Sequence, residues 1–250
     1  MRRVVPPALL LLAAVGLWQA VASLPSVDDL TLASPVEVLG AMRADGGLLA
    51  DEAWVTLTEV VLGLGLAIVG GVAVAVAMHL VRPLREAAYP LLVASQAIPV
   101  VVLAPILVLA FDYGTGPILA VVALTCFFPI TVNALDGLRS TSPDLMRLMR
   151  SLGASRLGVL RRVELPSALP SMFSGLRVAA TVSVIGAVFG EWSGAEAGLG
   201  RLVLLGNNQL QTPRVYAGVV LLTLMALALF GLVALLERLL VPWARTEASA

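Results

Sequence analysis

The sequence of 250 residues contains no lysine, one cysteine and one histidine. Cys126 alone cannot form an intrachain disulfide, and Cys126 together with His79 cannot complete a structural zinc site. A Walker A loop needs a lysine to reach the phosphates of ATP, so the chain cannot carry that kind of nucleotide site. We therefore expect this chain to bind no metal and no cofactor.

Charge is also scarce. Charged residues make up 13% of the chain and hydrophobic residues 59%, against about 25% and roughly 45–50% in ordinary soluble domains. This composition excludes intrinsic disorder, and the zero net charge argues against binding to nucleic acid. The apolar residues are concentrated in blocks, which points to a membrane protein.

Six apolar segments are each about as long as the 20 residues that a spanning helix needs. They are Val4–Ala22, Thr58–Val81, Ala87–Phe111, Pro117–Leu138, Leu169–Trp192 and Val215–Leu240. The first follows a basic start and resembles a signal peptide, but the later spans favour an uncleaved first helix. We expect an all-α membrane protein with six transmembrane helices, in which residues 1–250 form a single domain.

The arginines are distributed unequally between the two sides of this topology. If the N-terminus is cytoplasmic, 12 of the 16 arginines lie on the inner side and only Arg43, Arg201 and Arg214 on the outer side. Short cytoplasmic loops carry an excess of basic residues. We therefore expect both termini in the cytoplasm.

The connection between the fourth and fifth spans, residues 139–168, contains helix signals of its own. Ser142-Pro143-Asp144 is a typical helix start, with a capping side chain, a proline and an acid. Gly153 predicts the end of that helix, and Ser155 predicts the start of a second, short one. Pro166 predicts the end of the second helix, because proline lacks the N–H that a continuing helix needs.

The first of these helices is expected to be amphipathic, since Leu145, Leu148, Met149 and Leu152 share one face. One interpretation is a solvated loop whose arginines only enforce the topology. The other is a docking element for a cytosolic partner. The helix pattern alone supports both equally.

Residues 148–166 of this connection read LMRSLGASRLGVLRRVELP. The stretch resembles the loop motif of ABC-importer permeases: Glu-Ala-Ala, three residues, Gly, nine residues, an aliphatic residue, any residue and Leu-Pro. Four residues match that pattern at the right spacing, namely Gly153, Val163, Leu165 and Pro166. The front of the motif departs from it, because Arg147, Leu148 and Met149 stand at the Glu-Ala-Ala positions.

The resemblance covers residues 54–243 and is closest to the branch that imports nitrate, sulfonates, taurine and thiamine precursors. Other recurring elements are Ala97-Ile98-Pro99, Phe127-Phe128-Pro129-Ile130, Asp136-Gly137-Leu138-Arg139, Gly175-Leu176-Arg177 and Gly190-Glu191-Trp192. The stretch from Gly190 to Thr212 resembles the subgroup for thiamine pyrimidine precursors of the hydroxymethylpyrimidine type. The resemblance implies such a solute, with a sulfonate, taurine, nitrate or riboflavin-like solute as the alternative.

The resemblance also implies a type I ABC importer permease-like fold in the bacterial inner membrane, and a non-catalytic subunit. The implied partners are a second permease copy, giving a homodimer, ABC ATPase subunits that bind ATP and Mg, and an extracytoplasmic solute-binding protein. Residues 139–168 become the cytoplasmic coupling loop that contacts the ATPase. The implied coupling residues are Arg147, Leu148, Met149, Gly153, Ala154, Ser155, Val163, Leu165 and Pro166.

Few polar side chains lie within the spans, and each has two interpretations. Asp136 and Arg177, toward the inner ends of spans four and five, either form an ion pair across the inner leaflet or reach the interface separately. Gln96 and Asn133 either contact a polar solute or hydrogen-bond neighbouring helices.

Small residues recur every four positions in two spans, a pattern typical of close helix packing in lipid. They are Gly63, Ala67, Gly71 and Ala75 in span two, and Gly175, Ala179, Ser183 and Ala187 in span five. We favour packing for span two. For span five a wall of the translocation path or a dimer seam is an equal alternative, so Ser183 and Ala187 join Gln96 and Asn133 as path candidates.

Other functional classes fit the sequence less well. An ion-coupled secondary transporter usually shows internal repeats, and no clear repeat is present. An intramembrane serine hydrolase would depend on His79, and the sequence has no Gly-x-Ser-x-Gly elbow. A structural protein without transport activity is opposed only by the coupling-loop motif.

Overall fold

The computed structural model describes residues 5–25, 28 and 31–243, and every regular element in these ranges is helical. Val4, the first residue of the first predicted span, lies outside them. The helices are α1 (Val5–Ala22), α2 (Pro35–Ala44), α3 (Gly46–Leu80), α4 (Arg82–Ser95), α5 (Val100–Phe111), α6 (Thr115–Arg139), α7 (Pro143–Ser151), α8 (Arg156–Val159), α9 (Leu165–Gly194), α10 (Leu199–Asn208) and α11 (Thr212–Leu240). A π-helical turn, Leu160–Glu164, joins α8 to α9.

Four continuous helical stretches within the described residues are long and apolar enough to cross a membrane. They are Gly46–Leu80, Thr115–Arg139, Arg156–Gly194 and Thr212–Leu240. These stretches contain the predicted spans two, four, five and six. Span two begins earlier than predicted, because the residues from Gly46 to Thr58 contain no helix-breaking proline. The first predicted span is the shorter apolar helix α1.

The third predicted span is not one continuous helix. It is divided into α4 and α5, whose axes are bent by 102°. The break falls at Gln96–Pro99, where Pro99 has no N–H and disfavours a helical conformation at Ile98. If α4 and α5 together make one crossing, the described residues contain five segments that are long and apolar enough to cross a membrane.

The chain forms two compact units, and we describe each by itself. The larger unit comprises residues 57–195 and 225–250. Its core is α6, which packs extensively against α9 and also meets α3 at two glycines. A Cβ atom on Gly63 would lie 2.6 Å from Cβ of Val122, and one on Gly71 would lie 2.9 Å from Cγ2 of Ile130. The small residues of span two therefore serve close helix packing.

The smaller unit comprises residues 1–56 and 196–224 and is joined by polar contacts. Arg214 Nε donates to Asp45 Oδ2 at 2.8 Å. At the N-terminus of α10, the N–H of Gly198 donates to a carboxylate oxygen of Glu52. The N–H of Leu199 donates to Thr56 Oγ1 at 2.8 Å. Side chains of α3 thus satisfy the free N–H groups that begin α10.

The helix α2 begins after Ser34, and Ser34 and Glu37 cap its first turn. Glu37 accepts a hydrogen bond of 2.7 Å from the N–H of Ser34, and Ser34 Oγ accepts one of 3.3 Å from the N–H of Glu37, which is a capping box. The bonds from Ser34 lower the pKa of the Glu37 carboxyl. This contribution to stability is present above the ordinary pKa of a glutamate and is lost as the pH falls through the lowered value.

We predict that Gly63→Ala destabilises the protein, because Val122 Cβ cannot move away from the added methyl without shifting α6. The expected loss is about 1–3 kcal/mol, the usual cost of overpacking. Gly65→Ala is the matched control, because nothing lies within 4 Å of its Cβ position on the same helix. Thermal unfolding of the purified protein checks this: equal midpoints for the two variants would contradict the proposed α3–α6 contact.

Candidate functional site

The loop between α6 and α9 begins with a short helix that ends as its sequence predicts. α7 begins at Pro143 as expected, although the side chain of Ser142 makes no capping hydrogen bond, and it ends in a Schellman motif. In this motif the N–H of Gly153 donates to Arg150 O, and the N–H of Ala154 donates to Met149 O, both at 3.0 Å. Gly153 has φ 74°, a left-handed conformation that favours glycine, so Gly153 sets the direction in which the chain leaves α7.

The second half of the loop corrects one expectation. Ser155 does begin a helix, and its Oγ accepts from the N–H of Gly158 at 3.2 Å. Pro166, however, does not end that helix, because Arg156–Gly194 is continuous. The π-helical turn accommodates the proline: the N–H of Leu165 donates to Leu160 O, five residues earlier, so the turn before Pro166 is widened.

Two polar contacts join this loop to the C-terminal end of α3. His79 Nε2 and Glu164 Oε2 are 3.1 Å apart, and a guanidinium N–H of Arg156 donates to the carbonyl of Leu80. Beneath them, the buried residues Leu138 and Leu160 form a small apolar cluster with Ala168. The loop is therefore attached to α3 as well as to its own flanking helices, α6 and α9.

The surface of the loop exposes leucines. Leu148 is 54% exposed, Leu152 is 71% exposed, and Leu157 on α8 is 55% exposed. Leu148 is on α7, and Leu152 follows the end of that helix. Several large exposed apolar side chains within one loop are typical of an interaction surface. The remaining coupling candidates are less prominent: Arg147 is paired with Asp144 on the same helix, and Val163 is half-buried.

The four translocation-path candidates lie in different environments. Gln96 is exposed at the end of α4, beside the break before α5. Asn133 Nδ2 donates to Pro129 O on its own helix at 2.8 Å. Ser183 and Ala187 are fully buried, and Ser183 Oγ donates to Ala180 O. Neither residue of α9 is exposed in the single chain.

The small residues of α9 form its contact with α6. A Cβ atom on Gly175 would lie 2.6 Å from Pro129 O, and one on Gly190 would lie 2.9 Å from Cγ2 of Ile118. Between these two points, Cys126 Sγ lies 3.4 Å from Ala179 O. Span five therefore uses its small residues for packing within the chain.

The structure does not bring Asp136 and Arg177 together. Asp136 is exposed, whereas Arg177 Nη1 is 3.3 Å from Glu237 Oε2 on α11. The register of α6 against α9 explains the difference. Gly137 lies beside Ala168 and Ser171, which places Asp136 more than one helical turn from Arg177 along α9.

A contact between two buried carboxyl groups was not predicted from the sequence. It lies in the larger unit, at the end remote from the loop. Glu59 on α3 and Glu191 on α9 are each 2% exposed, and a side-chain hydrogen bond joins them. Glu59 Oε2 has no hydrogen-bond partner among the described residues. Glu59 lies near the start of predicted span two and Glu191 near the end of predicted span five, which are on the same side of the predicted topology. This shared position was the signal in the sequence that the two groups could meet.

Comparison with known proteins decides the family. Residues 60–246 match the family described as binding-protein-dependent transport system inner membrane component. The chain belongs to this family. It is a permease component of an ABC importer and a multi-pass protein of the inner membrane.

Relatives of this permease span nearly its whole length. It is 38% identical over 242 residues to the formylaminopyrimidine transport permease protein ThiX of Halalkalibacterium halodurans. The aligned region covers 96% of each chain. It is 36% identical over 228 residues to the riboflavin transport system permease protein RibX of Chloroflexus aurantiacus, covering 90% of this chain and 85% of that one.

The fold of the permease is also that of solved transporters. An inward-facing structure of the MetNI methionine ABC transporter matches with a TM-score of 0.63 and 20% identity, covering 76% of this chain and 97% of that chain. At this identity the match shows the fold alone. It confirms the expected type I ABC importer permease-like architecture.

Proposed function

We propose that this permease imports a pyrimidine precursor of thiamine, such as a formylaminopyrimidine or a hydroxymethylpyrimidine. The observation that carries the proposal is the 38% identity to a formylaminopyrimidine permease along 96% of both chains. The relative named for riboflavin transport is 36% identical, so a riboflavin-like solute is the second candidate. A sulfonate, taurine or nitrate is a more distant third.

Coupling to ATP hydrolysis would run through the loop of residues 139–168. A partner ATPase would bind ATP and Mg, and its surface would cover the exposed Leu148, Leu152 and Leu157. Movement of that surface would be passed on through Glu164 and Arg156, which are bound to the inner end of α3. A rigid-body motion of packed helices is the kind of transition that such contacts can transmit.

The complete transporter would contain two copies of this chain, two ATPase subunits and an extracytoplasmic solute-binding protein. In each copy, six crossings with both termini in the cytoplasm follow if α1 is the first crossing and the bent pair α4–α5 is the third. The arginine distribution supports this orientation.

The break between α4 and α5 supports a role for Gln96 in the translocation path. Its amide is exposed beside a non-helical stretch, and irregular backbone at membrane depth is tolerated where it lines a water-filled cavity. Asn133 bonds its own helix, and Ser183 and Ala187 are buried, so these three would act by shaping helix packing.

We predict ATP-dependent uptake of a thiamine pyrimidine precursor by the reconstituted transporter. The permease, its ATPase and its solute-binding protein are placed in liposomes, and uptake of labelled formylaminopyrimidine, hydroxymethylpyrimidine, riboflavin and taurine is compared with and without ATP. Only the pyrimidines should accumulate. Accumulation of riboflavin or taurine in their place would refute the proposed solute.

We predict that Gly153→Val uncouples the transporter, whereas Gly153→Asn does not. A β-branched residue at φ 74° costs roughly 1–2 kcal/mol or more and disfavours the Schellman turn, while asparagine tolerates this conformation. No atom lies within 4 Å of the Cβ position, so neither variant creates a clash within the chain.

The measured quantity is the number of solute molecules imported per ATP hydrolysed, with membrane insertion and co-purification of the ATPase as controls. The ratio should fall several-fold for Gly153→Val and stay near the wild-type value for Gly153→Asn. Wild-type ratios for both variants would show that the shape of this turn is irrelevant to coupling.

A further inference from the structure

Two adjoining cavities lie between the inner ends of α3 and α6 and the loop helix α7. One has a volume of about 410 Å³, and the ionisable residues of its wall are His79, Arg85, Arg139, Arg147, Arg150 and Glu164. The other, also about 410 Å³, shares His79, Arg150 and Glu164 with the first and adds Arg156. Both fall within the range of about 300–1,000 Å³ that is usual for small-ligand pockets.

The charges on these walls are not balanced by the protein. Glu164 contacts His79 at 3.1 Å, Arg147 is paired with Asp144, and Arg156 donates to the carbonyl of Leu80. The other three guanidinium groups, on Arg85, Arg139 and Arg150, make no hydrogen bond or ion pair with any residue that the structure describes. Three uncompensated positive charges therefore face one cavity.

A phosphate group fits this set of donors. Guanidinium groups bind phosphate oxygens through paired hydrogen bonds and are common wherever phosphate is recognised. His79 lines both cavities, and its Nδ1 is a further buried polar atom without a partner among the described residues. Arg85 comes from α4, Arg139 from the end of α6, and Arg150 from α7, so the donors surround the space from three elements.

The neighbourhood of the cavity indicates where the phosphate comes from. A third cavity of about 200 Å³ is also bounded by Arg85 and Arg139 and extends along α4 past Tyr89. Its one acidic lining residue, Glu86, is paired with Arg82. Further along α4, Leu91 is 71% exposed and offers an apolar surface for acyl chains. Basic pockets at the cytoplasmic ends of transmembrane helices bind the headgroups of anionic lipids.

We propose that these cavities form a binding site for the phosphate of an anionic phospholipid headgroup in the inner leaflet, held by Arg85, Arg139 and Arg150. The proposal does not depend on which solute the permease transports. Because its walls include α7, a bound headgroup would also contact the loop that carries the exposed leucines.

The test titrates purified full-length permease in detergent with short-chain phosphatidylglycerol and follows binding by native mass spectrometry. Phosphatidylcholine, which has no net charge, serves as the control lipid, and inorganic phosphate is added alone and as a competitor. The test variant is Arg85→Gln/Arg139→Gln. The matched control is Arg161→Gln/Arg162→Gln, which makes the same change in charge at two exposed arginines that line neither cavity.

Phosphatidylglycerol should bind more tightly than phosphatidylcholine. The test variant should weaken phosphatidylglycerol binding roughly 30-fold, as expected for two arginines near the membrane surface, and the control should leave it unchanged. Resistance to competition by inorganic phosphate would assign the site to the lipid headgroup. Binding of inorganic phosphate alone, with the same dependence on Arg85 and Arg139, would assign it to free phosphate.

Equal effects of the two double variants, or no preference for phosphatidylglycerol over phosphatidylcholine, would overturn the proposal. A second result would also overturn it: the test variant binds the lipid as the wild type does but, unlike the control, no longer co-purifies with the ATPase. The arginines would then serve a protein partner. Circular dichroism of each variant checks that the helices are intact.

Discussion

The loop of residues 139–168 is held to the C-terminal end of α3 by an imidazole–carboxylate contact and a guanidinium–carbonyl hydrogen bond. His79 and Leu80 are among the last residues of the helix, and their partners Glu164 and Arg156 lie where the loop returns toward the membrane. A loop attached only at its own two ends could be displaced without moving the spans. With these contacts, a force on the loop also acts on α3.

The packing of α6 extends this attachment through the larger unit. Gly63 and Gly71 let α3 approach α6, and Gly175, Gly186 and Gly190 let α9 approach it from another direction. Lipid provides no hydrophobic drive for helices to associate, so such close contacts carry much of the binding between them. The helices α3, α6 and α9 are therefore tightly packed, and the loop is attached to all three. They are suited to move as one body.

Local rules predicted the parts of the fold that depend on neighbouring residues. The end of α7 at Gly153 and the cap at Ser155 follow from the hydrogen bonds of a few adjacent groups, and the start of α7 follows from Pro143. A single sequence contains that information. The coupling-loop motif and the blocks of apolar residues were likewise sufficient to predict the family and the all-helical fold.

The features that were missed depend on contacts between distant segments. Pro166 continues its helix because a π turn widens the backbone ahead of it, a choice that proline alone does not dictate. The partner of Arg177 is set by the register of α6, α9 and α11, which placed Glu237 in reach and Asp136 out of reach. The meeting of Glu59 with Glu191 and the arginine-lined cavities also arise only when the helices are assembled.

The central claim is that the loop of residues 139–168 and α3 move together when the ATPase closes. The most direct measurement is the distance between spin labels at Ser151 on α7 and Val69 on α3, in a Cys126→Ser background. The labelled chain is diluted with unlabelled chain in the assembled transporter, and distances are recorded without nucleotide and with ATP bound. We expect the maximum of the distance distribution to lie at the same distance without nucleotide and with ATP bound. A shift of about 5 Å, one helical turn, would show that the loop moves independently of α3 and would contradict the claim.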